Sequence, residues 1–231
     1  MTKRTEGQIA GVTYLSYIVS AMSSAVLSTR TTAGSDVSQT LSTLGRMIGI
    51  ARATVLLDLL QIVCAIVLAA TLYQLVRSVN PTVALLAMLF RLGEGLLGFF
   101  PLLDKLELMQ LATTPAVAAA SAFSDPALVR EILHRPNNGF SEFCFVVGGF
   151  LFAYLFLRGR LIPRWLAWIG VITIGVQLIC VPLDIATIIP KPIVNWLWFP
   201  ILLYEVPLGI WLIAKGTENR QAFSSVDENG L

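Results

Sequence analysis

A chain of 231 residues in which 56% are hydrophobic and only 13% charged, with a mean hydropathy of +0.77, lies far from the roughly 25% charged residues of soluble domains. It reads as an all-α polytopic membrane protein forming one domain over residues 1–231, since no Gly/Ser linker, low-complexity tract or clear internal repeat divides it. The net charge of +2 is spread over the polar loops, which excludes nucleic acid as the partner.

About 20 predominantly apolar residues cross a hydrocarbon core of about 30 Å, and six runs of that kind follow one another. After Lys3 and Arg4, the apolar run 9–28 is too long for a signal-peptide core and predicts an uncleaved first span. It carries Tyr14, Tyr17 and a series of serines, small residues that let helices approach closely in lipid. Residues 29–53 predict a polar loop drifting into helix, with Arg46 and Arg52 spaced as in an interfacial segment. The second span, 54–76, places Asp58 and Gln61 three residues apart on one face. Arg77 to Pro81 is a tight turn, and Pro81 opens the third span, 81–103, where a missing N–H does no harm.

Residues 104–139 are more polar and predict an external segment with a short interfacial helix from Asp125 to Leu133. His134, the only histidine, follows it and reads as a solvated loop residue. The fourth span, 140–157, has Glu142 at its mouth and Gly148–Gly149 as a close-packing point. A short basic turn with Arg158, Arg160 and Arg164 leads to the fifth span, 165–183, and a further turn to the sixth, 194–214. One side holds Lys3, Arg4, Arg77, Arg158, Arg160, Arg164, Lys215 and Arg220, and the other Arg30, Arg46, Arg52, Lys105, Arg130, Arg135 and Lys191. The totals are close, but the first set sits in very short turns and tails without balancing acids, so the positive-inside rule places both termini in the cytoplasm.

Charges inside these spans carry the functional expectation. Arg91 and Glu94 sit in the middle of the third span, where a lone charge costs at least about 2.5 to 3.5 kcal/mol and normally finds a partner or a wet cavity. Three residues apart, they can pair. Glu205 lies in the middle of the sixth span beside Tyr204, between Pro200 and Pro207, and each proline is expected to free a carbonyl within the helix. One fixed cation, Arg91, then faces two midplane carboxylates, with Asp58 and Glu142 further towards the outer side. If they converge, either a carboxyl holds a proton or a cation is bound; a protonated structural glutamate fits the same residues.

Other chemistries are set aside. None of the lysines, Lys3, Lys105, Lys191 and Lys215, lies mid-span, so a buried Schiff base is not expected. No span holds a histidine, which removes bis-histidine haem and most zinc hydrolase arrangements. Cys64, Cys144 and Cys180 have no metal-ligand spacing and read as buried apolar residues. Neither a P-loop nor a dinucleotide fingerprint is present. No cofactor and no metal is expected.

Three motifs carry a family resemblance: the run from Leu85 through Phe90, Arg91 and Glu94; the run from Tyr154 through Arg158, Arg160, Pro163, Arg164 and Trp165; and the run from Tyr204 and Glu205 through Trp211 to Lys215 and Gly216. In that order the chain resembles bacterial integral membrane proteins of the domain-of-unknown-function 4386 family, over nearly its whole length. The resemblance implies a six-helix bacterial inner-membrane protein with an arginine–glutamate pair on the third helix and a glutamate on the sixth. It implies no activity or cofactor, and the segment from Lys105 to Asn138 departs from it in length.

The leading expectation is therefore an intramembrane pocket between the second, third and sixth spans, formed by Arg91, Glu94, Glu205, Asp58, Gln61, Tyr204 and Tyr14. It would bind, and in the extended reading move, a membrane lipid or small amphipathic molecule, with Arg91 holding an anionic ligand group or Glu94. The second reading is a non-catalytic accessory subunit of a larger membrane complex or homo-oligomer. A carboxylate-dependent intramembrane enzyme ranks last because the acid–base inventory is thin.

Overall fold

The computed structural model describes residues 3–33, 37–113, 139–190 and 196–216, and these are helical with no strand among them. The helices are α1 (Lys3–Thr31), α2 (Val37–Arg46), α3 (Ile48–Val76), α4 (Pro81–Leu97), α5 (Phe99–Thr113), α6 (Phe140–Gly159), α7 (Arg164–Ile185) and α8 (Phe199–Lys215). The helix expected from Asp125 to Leu133 falls outside the described residues.

Local chemistry fixes where these helices begin and break. Asn80 caps α4 by accepting from the Val83 N–H at 3.1 Å, with Pro81 in the first turn. The third expected span, 81–103, is instead two helices in line, with Gly98 between them. Pro101 has no N–H to offer the Leu97 carbonyl, so the ladder is interrupted there and resumes as α5. At the end of α6, Arg160 adopts a left-handed conformation (φ 51°), and the Leu161 N–H closes the cap on the Phe156 carbonyl at 3.1 Å.

Among the described residues, five helical stretches are long and apolar enough to cross a membrane: Arg4–Thr31, Ile48–Val76, Pro81–Thr113, Phe140–Gly159 and Arg164–Ile185. The last helix, expected over 194–214, begins at Phe199 and has 17 residues. Pro200 thus stands in its first turn, after a turn at Trp198 that separates α8 from the helical residues Trp196 and Leu197. Pro207 is inside α8 and does leave the Leu203 carbonyl without its usual donor.

The six longer-range packing partners form a closed ring: α1 touches α3, α3 touches α4, α4 touches α6, α6 touches α7, α7 touches α8, and α8 returns to α1. The α1–α8 seam depends on glycine. A Cβ on Gly11 would lie 2.5 Å from the Gly209 carbonyl oxygen, and one on Gly7 would lie 2.9 Å from Gly216 Cα. The ring's outward faces are apolar and exposed, as at Leu85, Leu89 and Leu96 on α4 and Ile172, Val176 and Ile179 on α7, which suits hydrocarbon as solvent. Outside the ring, α2 and α5 pack on each other and on the start of α3 through Leu44, Ala51 and Leu108.

Candidate functional site

The centre of the ring is polar. Arg91 is 1% exposed and Glu94 5%, and Arg91 Nη1 lies 3.0 Å from Glu94 Oε2. Helical spacing alone brings the two to one face; what holds them there is the opposite wall. Tyr17 of α1 donates its hydroxyl to Glu94 Oε1 at 2.5 Å, and one turn earlier Tyr14 donates to Glu205 Oε1 of α8 at 3.1 Å. Two tyrosines of one helix thus hold two carboxylates from two others.

Arg91 is held by charge and by rings. Its Nε, Nη1 and Nη2 have no hydrogen-bond acceptor of good geometry among the described residues. Its guanidinium carbon lies 4.6 Å from the Phe145 ring centroid, 5.2 Å from that of Tyr17 and 5.9 Å from that of Tyr14. Such cation–π contacts contribute about 2 kcal/mol or more each when desolvated, and the Glu94 carboxylate supplies the opposite charge. Gly148 of α6 makes room for this close approach, because a Cβ there would come within 3.1 Å of both the Ala87 carbonyl oxygen and the Arg91 nitrogen. Tyr204, 2% exposed, turns towards α7, with its ring against Gly170.

Beside this buried cluster lies a cavity of about 640 Å³. Its wall comes from the same end of every contributing helix: the second half of α1, the first half of α3, the end of α4, the start of α5, and the starts of α6 and α8. Most of that wall is apolar, including Ile18, Met22, Ile62, Leu102, Trp198 and Leu202. Its polar groups include Tyr17, Asp58, Gln61, Glu94, Lys105, Ser141, Glu142 and Glu205. At the rim, Asp58 pairs with Lys105 and accepts from the Ser24 hydroxyl, and Lys105 also donates to Ser28 Oγ at 3.2 Å. Ser141 donates to the Glu94 backbone carbonyl at 3.0 Å, tying α6 to α4 beside the cavity.

The expected site residues therefore divide in two. Glu94, Glu205, Asp58 and Gln61 line the cavity, whereas Arg91, Tyr14 and Tyr204 stand behind it in the packed cluster. Sequence reading left out Tyr17, Phe145 and Lys105. Tyr17 repeats Tyr14 three residues on, and that spacing was the available signal; Phe145 had none. Lys105 was placed in an external segment, but α5 continues through it and returns it to Asp58. Among the described residues no group of three or more His, Cys, Asp or Glu could hold a metal ion.

Helices apolar enough to span a bilayer, closed around an ion-paired polar centre, define a polytopic helical membrane protein. Residues 9–216 match the family described as a domain of unknown function, DUF4386, and the chain belongs to that family. No curated protein and no solved structure matches it.

Proposed function

We propose that this is a six-span bacterial inner-membrane protein that binds a lipid-like or small amphipathic ligand between its helices. The observation that carries the reading is the cavity: about 640 Å³, apolar along most of its wall and polar at Gln61, Glu94 and Glu205. That volume falls in the range of roughly 300–1,000 Å³ typical of small-molecule sites. An apolar wall with a few converging polar groups suits a molecule with an apolar body and one polar head.

In this reading Glu94, Glu205, Gln61 and Asp58 meet the ligand. Arg91, Tyr14 and Tyr204 hold the carboxylate-bearing helices in place from behind. The lining residues all come from one end of the ring, which favours binding over passage from side to side. The basic helix ends Arg4, Arg77, Arg158, Arg164 and Lys215 gather at the other end. The positive-inside rule makes that end cytoplasmic and the cavity end periplasmic, with α8 as the sixth span. Both termini of the family region then face the cytoplasm.

Native mass spectrometry of protein released gently from its own membrane tests the proposal, with wild type compared with Ala21→Phe, which fills the cavity wall, and Glu205→Gln. A lipid or small molecule retained by wild type and lost from Ala21→Phe supports it. A bare wild-type chain overturns it, and one that travels with another protein moves the reading to an accessory subunit.

A further inference from the structure

The head group of the ligand can be specified further, resting on the cavity reading just given. Two of the acidic groups lining the cavity have a counter-charge within salt-bridge distance. Glu94 is neutralised by Arg91 and Asp58 by Lys105. Glu205 is 4% exposed and lines the cavity, and the partner that the described residues give it is the Tyr14 hydroxyl, a neutral donor. Among the described residues no cation lies within salt-bridge distance of Glu205, and the one Arg91 charge is shared between it and the closer Glu94, so the Glu205 carboxylate is an incomplete ion pair.

Anionic heads meet the opposite situation. Arg91, the cation nearest the centre, is 1% exposed and lies behind the wall, and Lys105 is already committed to Asp58 and Ser28. A carboxylate or phosphate in the cavity would face Glu205 and Glu94, with no uncommitted cation on the wall among the described residues. The aromatic part of the wall works the same way: Trp198, at 5.5 Å from Phe145 between ring centroids, borders the cavity, and ring faces attract ammonium groups.

We propose that the cavity selects an amphiphile with an alkylammonium head, which docks on the Glu205 carboxylate while its chain lies along the apolar wall of α1, α3 and α8. The ammonium supplies the charge that Tyr14 cannot, and its N–H groups fill the acceptor capacity left on the carboxylate.

The test compares decylammonium, decanol and decanoate, three chains of equal length with positive, neutral and negative heads, by their stabilisation of the protein in maltoside micelles at pH 7. The expected result is that decylammonium binds about tenfold more tightly than decanol, as for gaining one charge-assisted contact, with decanoate weakest. In Glu205→Gln, whose amide oxygen still accepts from Tyr14, decylammonium and decanol should become equal. Ala21→Phe should lose all three. Equal binding of decylammonium and decanol to wild type means that Glu205 carries a proton instead and overturns the ammonium proposal. Preference for decanoate overturns it too; either way the amphiphile cavity stands. If none of the three binds wild type, both the head-group proposal and the cavity reading fall.

Discussion

Replacing Arg91 by Met tests what holds the centre of the ring together. Methionine keeps an unbranched, apolar side chain against Phe145, Tyr14 and Tyr17 but leaves the Glu94 carboxylate without its counter-charge. The pair is buried on both sides, at 1% and 6% side-chain exposure, and removing one partner of such a pair costs about 3–5 kcal/mol. Glu94 still receives the Tyr17 hydroxyl, so the lower end, about 3 kcal/mol, is expected. For a protein of this length that corresponds to a fall of about 6–12 °C in melting temperature. The assay is thermal unfolding in maltoside at one fixed heating rate, because such unfolding is read as a rate process. Arg91→Met/Glu94→Gln removes both charges and should recover most of the loss. Stabilisation by decylammonium should survive in the single Arg91→Met variant, since Arg91 is not on the cavity wall. A single variant melting within about 1 °C of wild type, or a double variant less stable than the single, would refute the assignment of the pair as the central clamp.

Two further substitutions probe separate parts of the frame. Gly11→Ala puts a methyl group 2.5 Å from a backbone oxygen of α8, which cannot rotate away. The α1–α8 seam must open, at about 1–3 kcal/mol, while Gly49→Ala, with nothing within 4 Å, should be neutral or gain up to about 1 kcal/mol; melting curves of the two side by side check this. Lys105→Met at the partly exposed rim should cost no more than about 1 kcal/mol, and a larger drop in the same assay would mark the Asp58 pair as structural.

What the sequence made legible was the part that depends on local spacing. The pairing of Arg91 with Glu94 follows from three residues of helix, and a midplane glutamate in a long apolar run marks Glu205. The division of the site into a wall and a backing did not follow. Helical spacing says which residues share a face, but not which face of α4 meets a tyrosine from α1 and which meets open space. Phe145 shows the limit clearly: one apolar residue among many in α6 becomes a ring over a cation only because Gly148 lets α6 approach α4. The interruption just before α8 was not legible for a different reason. Pro200 was taken as an interior kink when its ring suits a first turn equally well.

The seam between α1 and α8 joins the first of the described helices to the last. A chain that emerges from the ribosome with α1 foremost has therefore made Tyr14 long before Glu205 exists to receive its hydroxyl. Without α8 the ring lacks one of its six members, and the Tyr14 hydroxyl lacks the acceptor that Glu205 provides. The polar centre is thus complete only with residues 199–215 in place and the glycines of the seam closed against α1.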